Sequence, residues 1–482
     1  MAPSFEEFDE TAWDYGEEVF DKWREGLYDK DLYYAIVKKV VKHHMGEALE
    51  ICRPQPGGKK GGKEGPGALI RFPMPAYFQY AEERLMAEVA AMRYISENTT
   101  IPIPFPIHYG MKQESPGGLG PFIIMDWVEN AGDLVDVVNK PGLTIADVPM
   151  LDPNIDEEKL ERVYYEMADI VLQLSLCEFP ALGPLNFLGG DDLNDPEVLT
   201  RPLSINISQL ANFARVPHFH LPPLSKTFKT SSEYYRALAD MHLQQLSFQR
   251  NQAIESADDC RKKYIARQLF RRLAAEGRLA NPEFDHGPFK LWCDDFRPAN
   301  VLVKKDGKIA AAIDWEFTYA ALADFSFAPP WWLLLQAPDD WRAGLDDWVA
   351  NYEPKLALFL RALEKKEKEF IEQGRLQESD ILLSTRMRKS WETGHFWVTY
   401  AARRTWAFDA IYWRFLDEKF FGKNWSGDFL ERLKLLPPEQ VDAMESFVER
   451  KLKEKEEKTI VDWYEPGAEA KLPPDILGRQ GQ

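Results

Sequence analysis

The chain has 482 residues, of which 45% are hydrophobic and 28% charged, so we expect a large core and no disorder of the whole chain. Its net charge of −19 argues against duplex nucleic acid or an anionic membrane as the main partner. There is no signal pattern at the N-terminus, MAPSFEEFDE, and no apolar run of membrane-helix length. The four cysteines are widely separated, and together these features predict a cytoplasmic protein.

The first third of the chain predicts a helical extension followed by a small sheet. Residues 1–50 carry apolar residues at helical spacing, whereas the Pro/Gly/Lys stretch 53–67 is too poor in apolar groups to pack. A short apolar strand at 68–72, a helix at 80–96 and a buried strand at 122–128 follow. This order indicates a sheet-based lobe with one packed helix.

The rest of the chain is mostly helical in pattern, with one exception. Helical periodicity covers 155–176, 231–252 and 257–276 and continues beyond 340. Between them, the apolar runs 301–303 and 309–313 flank Lys305-Asp306-Gly307, which predicts a β-hairpin. The expected fold class is therefore α+β, with a small β-rich N-terminal lobe and a larger, mainly helical C-terminal lobe.

The hairpin carries the residues that indicate chemistry. The sequence DDFRPAN, ending at Asn300, precedes it, and IDWE, which contains Asp314, follows it. A tight hairpin brings Asn300 and Asp314 together at its base and leaves Asp295 on the entering loop. Two carboxylates and one amide around one point suit a hard cation that prefers oxygen ligands.

Phosphoryl transfer needs such a set of groups. A carboxylate orients the attacking hydroxyl, oxygen ligands hold magnesium against the phosphates, and a cation offsets the charge that develops. Asp295 would be the carboxylate, Asn300 and Asp314 the magnesium ligands, and Arg297 the cation. The alternative is that these residues merely cap turns around a surface hairpin. The hairpin length, the second Asp after an apolar strand and the nearby arginine together favour the catalytic interpretation.

These motifs resemble the protein-kinase superfamily, through aminoglycoside phosphotransferases and choline kinases. DFRPAN is similar to the kinase catalytic loop and IDWE to the metal-binding motif of choline kinases. GPFKLWCDDFRPANVLV, PPWWLLL and SWETGHFW look closer still to fungal phosphotransferase-family proteins. The resemblance implies a protein kinase-like two-lobed fold and the roles given above for Asp295, Arg297, Asn300 and Asp314.

Two residues depart from the family pattern. Cys293 stands where a His usually supports the loop, and Asp294 stands where Gly or Arg is usual. Asp294 raises the question of which carboxylate acts, but only Asp295 has the four-residue separation from Asn300. Asp324 looks like a structural residue that supports the catalytic loop.

The nucleotide-binding half is less regular. By resemblance, Arg71 contacts phosphates, Glu88 is its ion-pair partner, and Asp126, Trp127 and Val128 form the hinge that binds adenine. The alternative for Arg71 and Glu88 is a surface ion pair unrelated to nucleotide. GGKKGGKE at 57–64 lacks the hydroxyl residue and the context of a Walker loop, so the nucleotide loop is expected near Gly46, its only glycine.

The acceptor is left open by the sequence. The aromatic residues of 391–413 are expected to be core more often than pocket lining. Asp409 and Glu392 among them could bind a cationic acceptor.

We therefore expect an ATP- and Mg²⁺-dependent phosphotransferase that acts on a hydroxyl of a small molecule, with nucleotide and acceptor as its partners. Two alternatives stay open: a catalytically impaired kinase-fold protein that binds a ligand or partner, and a nucleotide-dependent enzyme of another group transfer. The expected domain bounds are a helical extension at 1–45, an N-lobe at 46–129 with an insertion at 53–67, a C-lobe at 130–450 with the catalytic hairpin at 289–317, and a charged, flexible tail at 451–482.

Overall fold

The structure is a computed structural model that describes residues 8–44, 67–75, 79–144, 147–186, 196–463 and 465–474. The predicted glycine loop at Gly46, the Walker-like stretch 57–64 and nearly all of the insertion 53–67 lie outside these residues. Among the described helices, none combines the length and apolar character needed to cross a bilayer.

Two helices form the N-terminal extension, α1 (Glu10–Gly26) and α2 (Lys30–His43). Each begins after an aspartate whose carboxylate accepts a hydrogen bond from a backbone amide of the first turn. Asp9 accepts from Ala12 N at 2.9 Å, and Asp29 accepts from Leu32 N at 2.8 Å. The helical sequence predicted for 1–50 is therefore divided into two capped helices within the described residues.

The small lobe is built on three antiparallel strands. They are β1 (Ala68–Arg71), β2 (Pro106–Gly110) and β3 (Phe122–Asp126), and β3 lies between the other two. Helix α3 (Ala81–Asn98) joins β1 to β2, and it packs on this sheet. The helix buries Leu85, Val89, Met92 and Ile95, which recur at helical spacing along one face. This packing fixes the position of Glu88 relative to β1.

The larger lobe is mostly helical and holds the main core. In it, the helix Leu345–Glu372 packs along Glu157–Leu176, and the helices Ser231–Phe248 and Pro438–Glu457 both pack on Ala257–Ala275. A π-helical segment, Tyr412–Leu416, joins the short helices Phe408–Ile411 and Asp417–Phe421. The elements are β4 (Gly132–Asp133), α4 (Leu134–Val138), α5 (Glu157–Leu176), β5 (Glu178–Phe179), β6 (Leu185–Asn186), β7 (Glu197–Val198), α6 (Ile205–Asn212), α7 (Ser231–Phe248), α8 (Ala257–Ala275), β8 (Phe289–Cys293), β9 (Val301–Val303), β10 (Ile309–Ala312), β11 (Thr318–Ala321), α9 (Ala323–Ser326), α10 (Leu345–Glu372), α11 (Leu383–Glu392), α12 (His395–Arg403), α13 (Phe408–Ile411), α14 (Asp417–Phe421) and α15 (Pro438–Glu457).

Two small sheets in this lobe position the candidate site. One has the order β10–β9–β4 and contains the predicted hairpin, with Ala312 opposite Val301. The other has the order β11–β8–β5, and β11 pairs with β8 so that Thr318 lies opposite Cys293. Because β8 leads into the hairpin and β11 follows it, the two sheets hold the loops on both sides of the hairpin.

Both ends of the described chain pack on the C-lobe. Near the N-terminus, the Phe8 ring stacks on Trp406 with centroids 4.7 Å apart. Near the C-terminus, Lys451 is fully buried and donates hydrogen bonds to the Gln249 carbonyl and to Glu454, and Trp463 Nε1 donates to Arg215 O at 2.5 Å. The segment from Lys451 to Trp463, which the sequence predicts to begin a flexible tail, thus has buried groups with partners in the C-lobe.

Candidate active site

The loop between β8 and β9 brings together the predicted catalytic residues. A short 3₁₀ turn, Pro298–Asn300, directs Asn300 back toward Asp295. Asn300 Nδ2 donates to Asp295 O at 2.8 Å and to Asp295 Oδ2 at 3.2 Å, and Arg297 Nε lies 3.3 Å from Asp295 Oδ1. Asp295, Arg297 and Asn300 thus form one cluster, in which the amide holds the carboxylate in place.

The hairpin returns Asp314 to the same cluster. The Ile313 amide donates to Asn300 O at 2.8 Å, so the end of β10 is tied to the end of the loop. Asp314 then adopts φ +64°, a left-handed conformation that is unfavourable for a residue with a side chain and that often occurs at functional sites. The predicted base of the hairpin, with Asn300 and Asp314 close together, is what the structure contains.

Arg71 links the two lobes at this point. Its Nη1 donates to Asp314 Oδ1 at 2.8 Å, and its Nη2 forms an ion pair with Glu88 Oε2. Burial alone would lower the pKa of Arg71, but Glu88, Asp314 and Glu316 raise it, so the guanidinium stays charged. The Glu88 side chain is only 3% exposed and that of Arg71 29%, so the ion pair is largely buried.

Asp294 and Asp295 face different environments. Asp294 is 6% exposed and accepts hydrogen bonds from Trp292 Nε1 at 2.7 Å and from the Ile205 amide at 3.2 Å at the start of α6. Tyr319 also donates to it at 3.4 Å. Asp294 is therefore a buried scaffold carboxylate, which leaves Asp295 to face the cluster, as its separation from Asn300 predicts.

Cys293, which replaces the usual loop-supporting His, contacts the backbone of Asp314. Its buried Sγ lies 3.9 Å from Asp314 O, within the range of a weak hydrogen bond from sulfur. Burial is the main reason that the pKa of this thiol is raised, so it stays protonated and able to donate. The cysteine thus joins the loop of Asp295 to the strand end at Asp314.

Two of the three backbone amides of the predicted hinge donate hydrogen bonds within the protein. The Asp126 amide donates to Phe105 O at 3.1 Å and the Trp127 amide donates to Gly67 O at 2.8 Å. Strand β3 ends at Asp126, two residues earlier than predicted. The third amide, that of Val128, donates to no described residue. Of the three predicted hinge residues, Val128 is therefore the candidate for donating a backbone hydrogen bond to adenine.

Two site residues were not recognised in the sequence, Arg84 and Glu316. Arg84 is 1% exposed, its Nη1 lies 3.4 Å from Glu316 Oε2, and its Nη2 donates to Ser208 Oγ at 2.8 Å. Arg84 precedes Glu88 by one helical turn and Glu316 follows Asp314 by two residues, so both stand beside predicted residues. Their position beside predicted site residues could have marked both as candidates. It does not predict that the two side chains contact each other.

Two further residues considered from the sequence lie outside the cluster. Asp324 accepts a hydrogen bond from the Asn281 amide at 3.2 Å, and His395 Nε2 lies 3.2 Å away, so it holds helical-lobe segments together. Asp409 is paired with Arg267 at 2.6 Å. Asp409 is thus neutralised by a neighbour instead of being open to a cationic acceptor.

The charges of the site fit a divalent cation. Burial and the neighbouring Asp314 raise the pKa of Glu316 to about 7, against the opposing effect of Arg84 and Arg71. Burial is also the main reason that the pKa of Asp295 is raised, with Asp314 adding to it and Arg297 opposing it. Carboxylates crowded in this way are relieved by a cation.

The available ligand atoms are those that magnesium prefers. Asn300 uses its Nδ2 for Asp295, and its Oδ1 accepts no hydrogen bond from a described residue. The described residues contain no group of three His, Cys, Asp or Glu arranged to hold a metal. Mg²⁺ needs only one or two protein ligands when substrate phosphates and water complete its shell, so Asn300 and Asp314 are a sufficient pair.

Comparison with known proteins identifies the family. The model of the phosphotransferase enzyme family (APH) matches residues 61–359, which is more than half of the chain. The chain belongs to this phosphotransferase family. The predicted relationship to aminoglycoside phosphotransferases and the α+β, protein kinase-like fold class are thereby confirmed, whereas the closer likeness to fungal members stays a prediction. No curated protein matches the chain.

Three solved structures resemble this phosphotransferase-family chain. A provisionally assigned aminoglycoside phosphotransferase from Ralstonia eutropha is 14% identical, covering 88% of this chain and 98% of its own, with a TM-score of 0.37. A mutant aminoglycoside 2'-phosphotransferase IIIa in complex with GDP is 13% identical, covering 79% and 87%, with a TM-score of 0.34. A thermostable aminoglycoside phosphotransferase APH(4)-Ia mutant with AMP-PNP and hygromycin B is 17% identical, covering 67% and 81%, with a TM-score of 0.31. Because all three scores are low, the family assignment rests on the sequence match.

Proposed function

We propose that this protein transfers a phosphoryl group from ATP to a hydroxyl of a small molecule. The observation that carries the proposal is the cluster of Asp295, Arg297, Asn300 and Asp314, which the loop and the hairpin bring together from 20 residues of sequence. The family supplies the reaction class, and the cluster supplies the groups that this reaction needs. A reducing, cytoplasmic location belongs to the same proposal.

Asp295 is proposed to act on the acceptor. Its carboxylate is held by Asn300 Nδ2, so it can orient a hydroxyl and accept the proton as the oxygen attacks phosphorus. The proton moves from the acceptor oxygen to an Asp295 oxygen. The acceptor oxygen bonds to the terminal phosphorus of ATP, and the phosphorus–oxygen bond to the leaving ADP breaks. Arg297, 3.3 Å from Asp295 Oδ1, is placed to offset negative charge that develops on the transferred group.

Other residues of the chain would hold the nucleotide. Arg71, kept in position by Glu88, is proposed to contact phosphate oxygens, and Val128 to donate its amide to adenine. Asn300 Oδ1 and the Asp314 carboxylate are proposed to hold Mg²⁺, which when bound neutralises phosphate charge. The bond from Arg71 to Asp314 joins the proposed phosphate contact to the proposed metal ligand.

The alternative of a binding protein without transferase activity is less well supported. Its motives in the sequence are the degenerate glycine loop near Gly46 and Cys293. Cys293 contacts Asp314 O and leaves the cluster intact. The predicted glycine loop at Gly46 lies outside the described residues and adds nothing to either hypothesis. Another group transfer on the same scaffold has no specific support in the site.

Nucleotide binding followed by transfer tests the proposal. ATP with Mg²⁺ at a hundred times its dissociation constant should stabilise the fold by about 2.7 kcal/mol, measured by thermal denaturation. A library of hydroxyl-bearing metabolites is then incubated with protein and labelled ATP, with Asp295→Ala as the matched control that binds nucleotide but transfers nothing. The absence of stabilisation by any nucleotide, or equal transfer by the Asp295→Ala variant, would contradict the proposal.

A further inference from the structure

Helix α3 carries three largely buried charged residues, Glu83, Arg84 and Glu88. Arg84 and Glu88 have partners in the candidate site, as described above. Glu83 instead pairs with Arg201, which lies in the C-lobe between β7 and α6. Neither residue of this pair belongs to the proposed catalytic or nucleotide contacts, so any effect on the reaction has to pass through α3.

The pair between Glu83 and Arg201 is bidentate, and Arg201 is buried. Arg201 Nε donates to Glu83 Oε1 at 3.1 Å, and its Nη2 donates to Glu83 Oε2 at 3.0 Å. Its Nη1 donates to Pro222 O at 2.8 Å, and its backbone amide donates to Leu224 O at 2.9 Å. The guanidinium also lies 4.3 Å from the centroid of the ring of Tyr80, the residue that precedes α3. Arg201 is thus fixed by the C-lobe and holds the first turn of α3.

The segment 201–208 contacts both α3 and the catalytic loop. In α6, Ser208 Oγ accepts a hydrogen bond from Arg84 Nη2 at 2.8 Å. At the start of the same helix, the Ile205 amide donates to Asp294 Oδ2 at 3.2 Å, next in sequence to the proposed catalytic aspartate. This segment therefore connects the start of α3 in the small lobe to the loop that carries the catalytic carboxylate.

The contacts in the first turn of α3 determine where Glu88 lies. Because side chains four residues apart lie on the same face of a helix, fixing Glu83 and Arg84 also fixes Glu88 one turn later. Glu88 in turn holds Arg71, the proposed phosphate contact. The apolar face of α3 packs in the core as well, but apolar burial is not directional. A bidentate ion pair is directional, so it sets the register and rotation of the helix.

We propose that Arg201 is a positioning residue for nucleotide binding. By holding Glu83, it sets α3 so that Glu88 keeps Arg71 in place for the phosphates. The segment 201–208 thereby fixes the phosphate contact relative to the catalytic loop that it also touches. This inference rests on the proposed phosphotransferase function, and it adds a residue that acts without touching nucleotide or acceptor.

Calorimetric titration of ATP and of adenosine into the same variants tests this role. Arg71 is proposed to contact only the phosphates, so adenosine reports the binding that does not depend on it. Arg201→Met should weaken binding of ATP with Mg²⁺ by about tenfold or more, the size of one hydrogen bond to a charged group, with adenosine binding little changed. Arg201→Lys, which keeps the charge, and Glu83→Gln, which keeps the shape, should each give a smaller loss.

A second buried arginine separates positioning from stability. Arg432 forms a bidentate pair with Asp417, at 3.0 and 2.7 Å, between the 3₁₀ turn Phe429–Leu435 and α14. Arg432→Met should lower the denaturation temperature as Arg201→Met does, but it should leave the ratio of ATP to adenosine affinity unchanged. The loss of ATP affinity caused by Arg201→Met should also disappear in an Arg71→Met background, because Arg201 acts through Arg71.

Three results would overturn the proposal: an unchanged affinity ratio in the Arg201 and Glu83 variants, an equal fall of that ratio in Arg432→Met, or a loss that persists in the Arg71→Met background. If Arg201→Met does not fold, the ratios for Arg201→Lys and Glu83→Gln decide the first of these. ATP binding with an unchanged ratio contradicts only the positioning role. Failure of the unchanged chain to bind ATP would contradict the proposed function, and this inference with it.

Discussion

Asp294 and Asp295, the two residues that follow β8, have different partners although they are adjacent in sequence. Asp294 accepts hydrogen bonds from Trp292, Tyr319 and the Ile205 amide in the core, whereas Asp295 is held by Asn300 at the surface of the site. The two aspartates are the central residues of a turn that follows β8, in which the Phe296 amide donates to Cys293 O at 3.3 Å. A change at either position is therefore expected to have a distinct effect.

For these two aspartates we predict that one substitution lowers turnover and the other lowers stability. Asp295→Asn should reduce turnover by about 10² to 10⁴, the usual contribution of a positioned acid or base, with the free energy of unfolding little changed. Asp294→Asn should instead lower the free energy of unfolding by about 3 kcal/mol, because it removes the charge partner of buried Arg403. Urea denaturation and transfer rates per folded molecule measure both. A stable, inactive Asp294→Asn protein would reverse the assignment.

At the same scale, Asp314 should control the metal dependence of nucleotide binding. Asp314→Asn keeps the shape and removes the charge, so the Mg²⁺ concentration needed for half-maximal nucleotide binding should rise by about tenfold or more, corresponding to at least ~1.4 kcal/mol. Titration of nucleotide affinity against Mg²⁺ gives the measurement, and Asp306→Asn in the exposed hairpin turn is the matched control. An unchanged Mg²⁺ titration would show that Asp314 is not a ligand.

At the scale of elements, the first helix begins at an unusually buried cap. Asp9 accepts hydrogen bonds from Ala12 N at 2.9 Å and from Asn251 Nδ2 at 3.3 Å, which connects the start of α1 to the segment after α7. Burial is the largest effect on this carboxyl and raises its pKa to about 6. Asp29 caps α2 with the same type of bond but is exposed.

This difference predicts a pH dependence of stability. Because the pKa of Asp9 is raised in the folded chain, its contribution is fully present below pH 3.8 and is lost as the pH rises through about 6. Between pH 5 and pH 8 the unchanged chain should lose about 1.4 kcal/mol relative to Asp9→Asn, because pH 5 lies about one unit below the pKa of Asp9 in the folded chain. Chemical denaturation at several pH values tests this, and Asp29→Asn should change the profile by only about a few tenths of a kcal/mol, the scale of exposed surface substitutions. Parallel profiles for the unchanged chain and Asp9→Asn would contradict it.

At the scale of the whole molecule, several contacts join the lobes, among them two arginine ion pairs and the N-terminal helices. Arg71 reaches Asp314, Arg84 reaches Glu316, and the N-terminal helices run from Trp406 and Asn251 in the C-lobe to the N-lobe. In the N-lobe, Trp23 Nε1 donates to Leu119 O at 2.9 Å. The two arginine contacts join the lobes at the candidate site, and the N-terminal helices join them through separate contacts.

Breaking the Arg84 contact should destabilise the whole chain. Arg84→Met leaves Glu316 and Ser208 without this buried partner and should lower the free energy of unfolding by about 3–5 kcal/mol. Adding Glu316→Gln should cost less than the sum of the single changes, by about 1 kcal/mol or more, because the two side chains interact. The control is Arg361→Met. Arg361 pairs with Glu157, but their side chains are 53% and 73% exposed, so this pair should contribute about 0–1 kcal/mol to the free energy of unfolding. Additive effects at Arg84 and Glu316 would show that this contact does not couple the lobes.

Local sequence determined the parts of this protein that depend on neighbours along the chain. Periodicity predicted the main helices, and the separation from Asp295 to Asn300 together with the tight hairpin predicted one side of the site. These could be predicted because loop length and hairpin closure limit where Asn300 and Asp314 lie relative to each other. The family pattern added Arg71 and Glu88, which lie far from the hairpin in sequence.

The tertiary structure decided which side chains meet over long separations. Arg84 contacts Glu316 across 232 residues, and Arg201 pairs with Glu83 across 118 residues. Burial decided that Asp294 is scaffold and that the charged segment at Lys451 is packed. The physical reason is that charge pairing and desolvation depend on distance in space, which the spacing of residues along the chain does not fix.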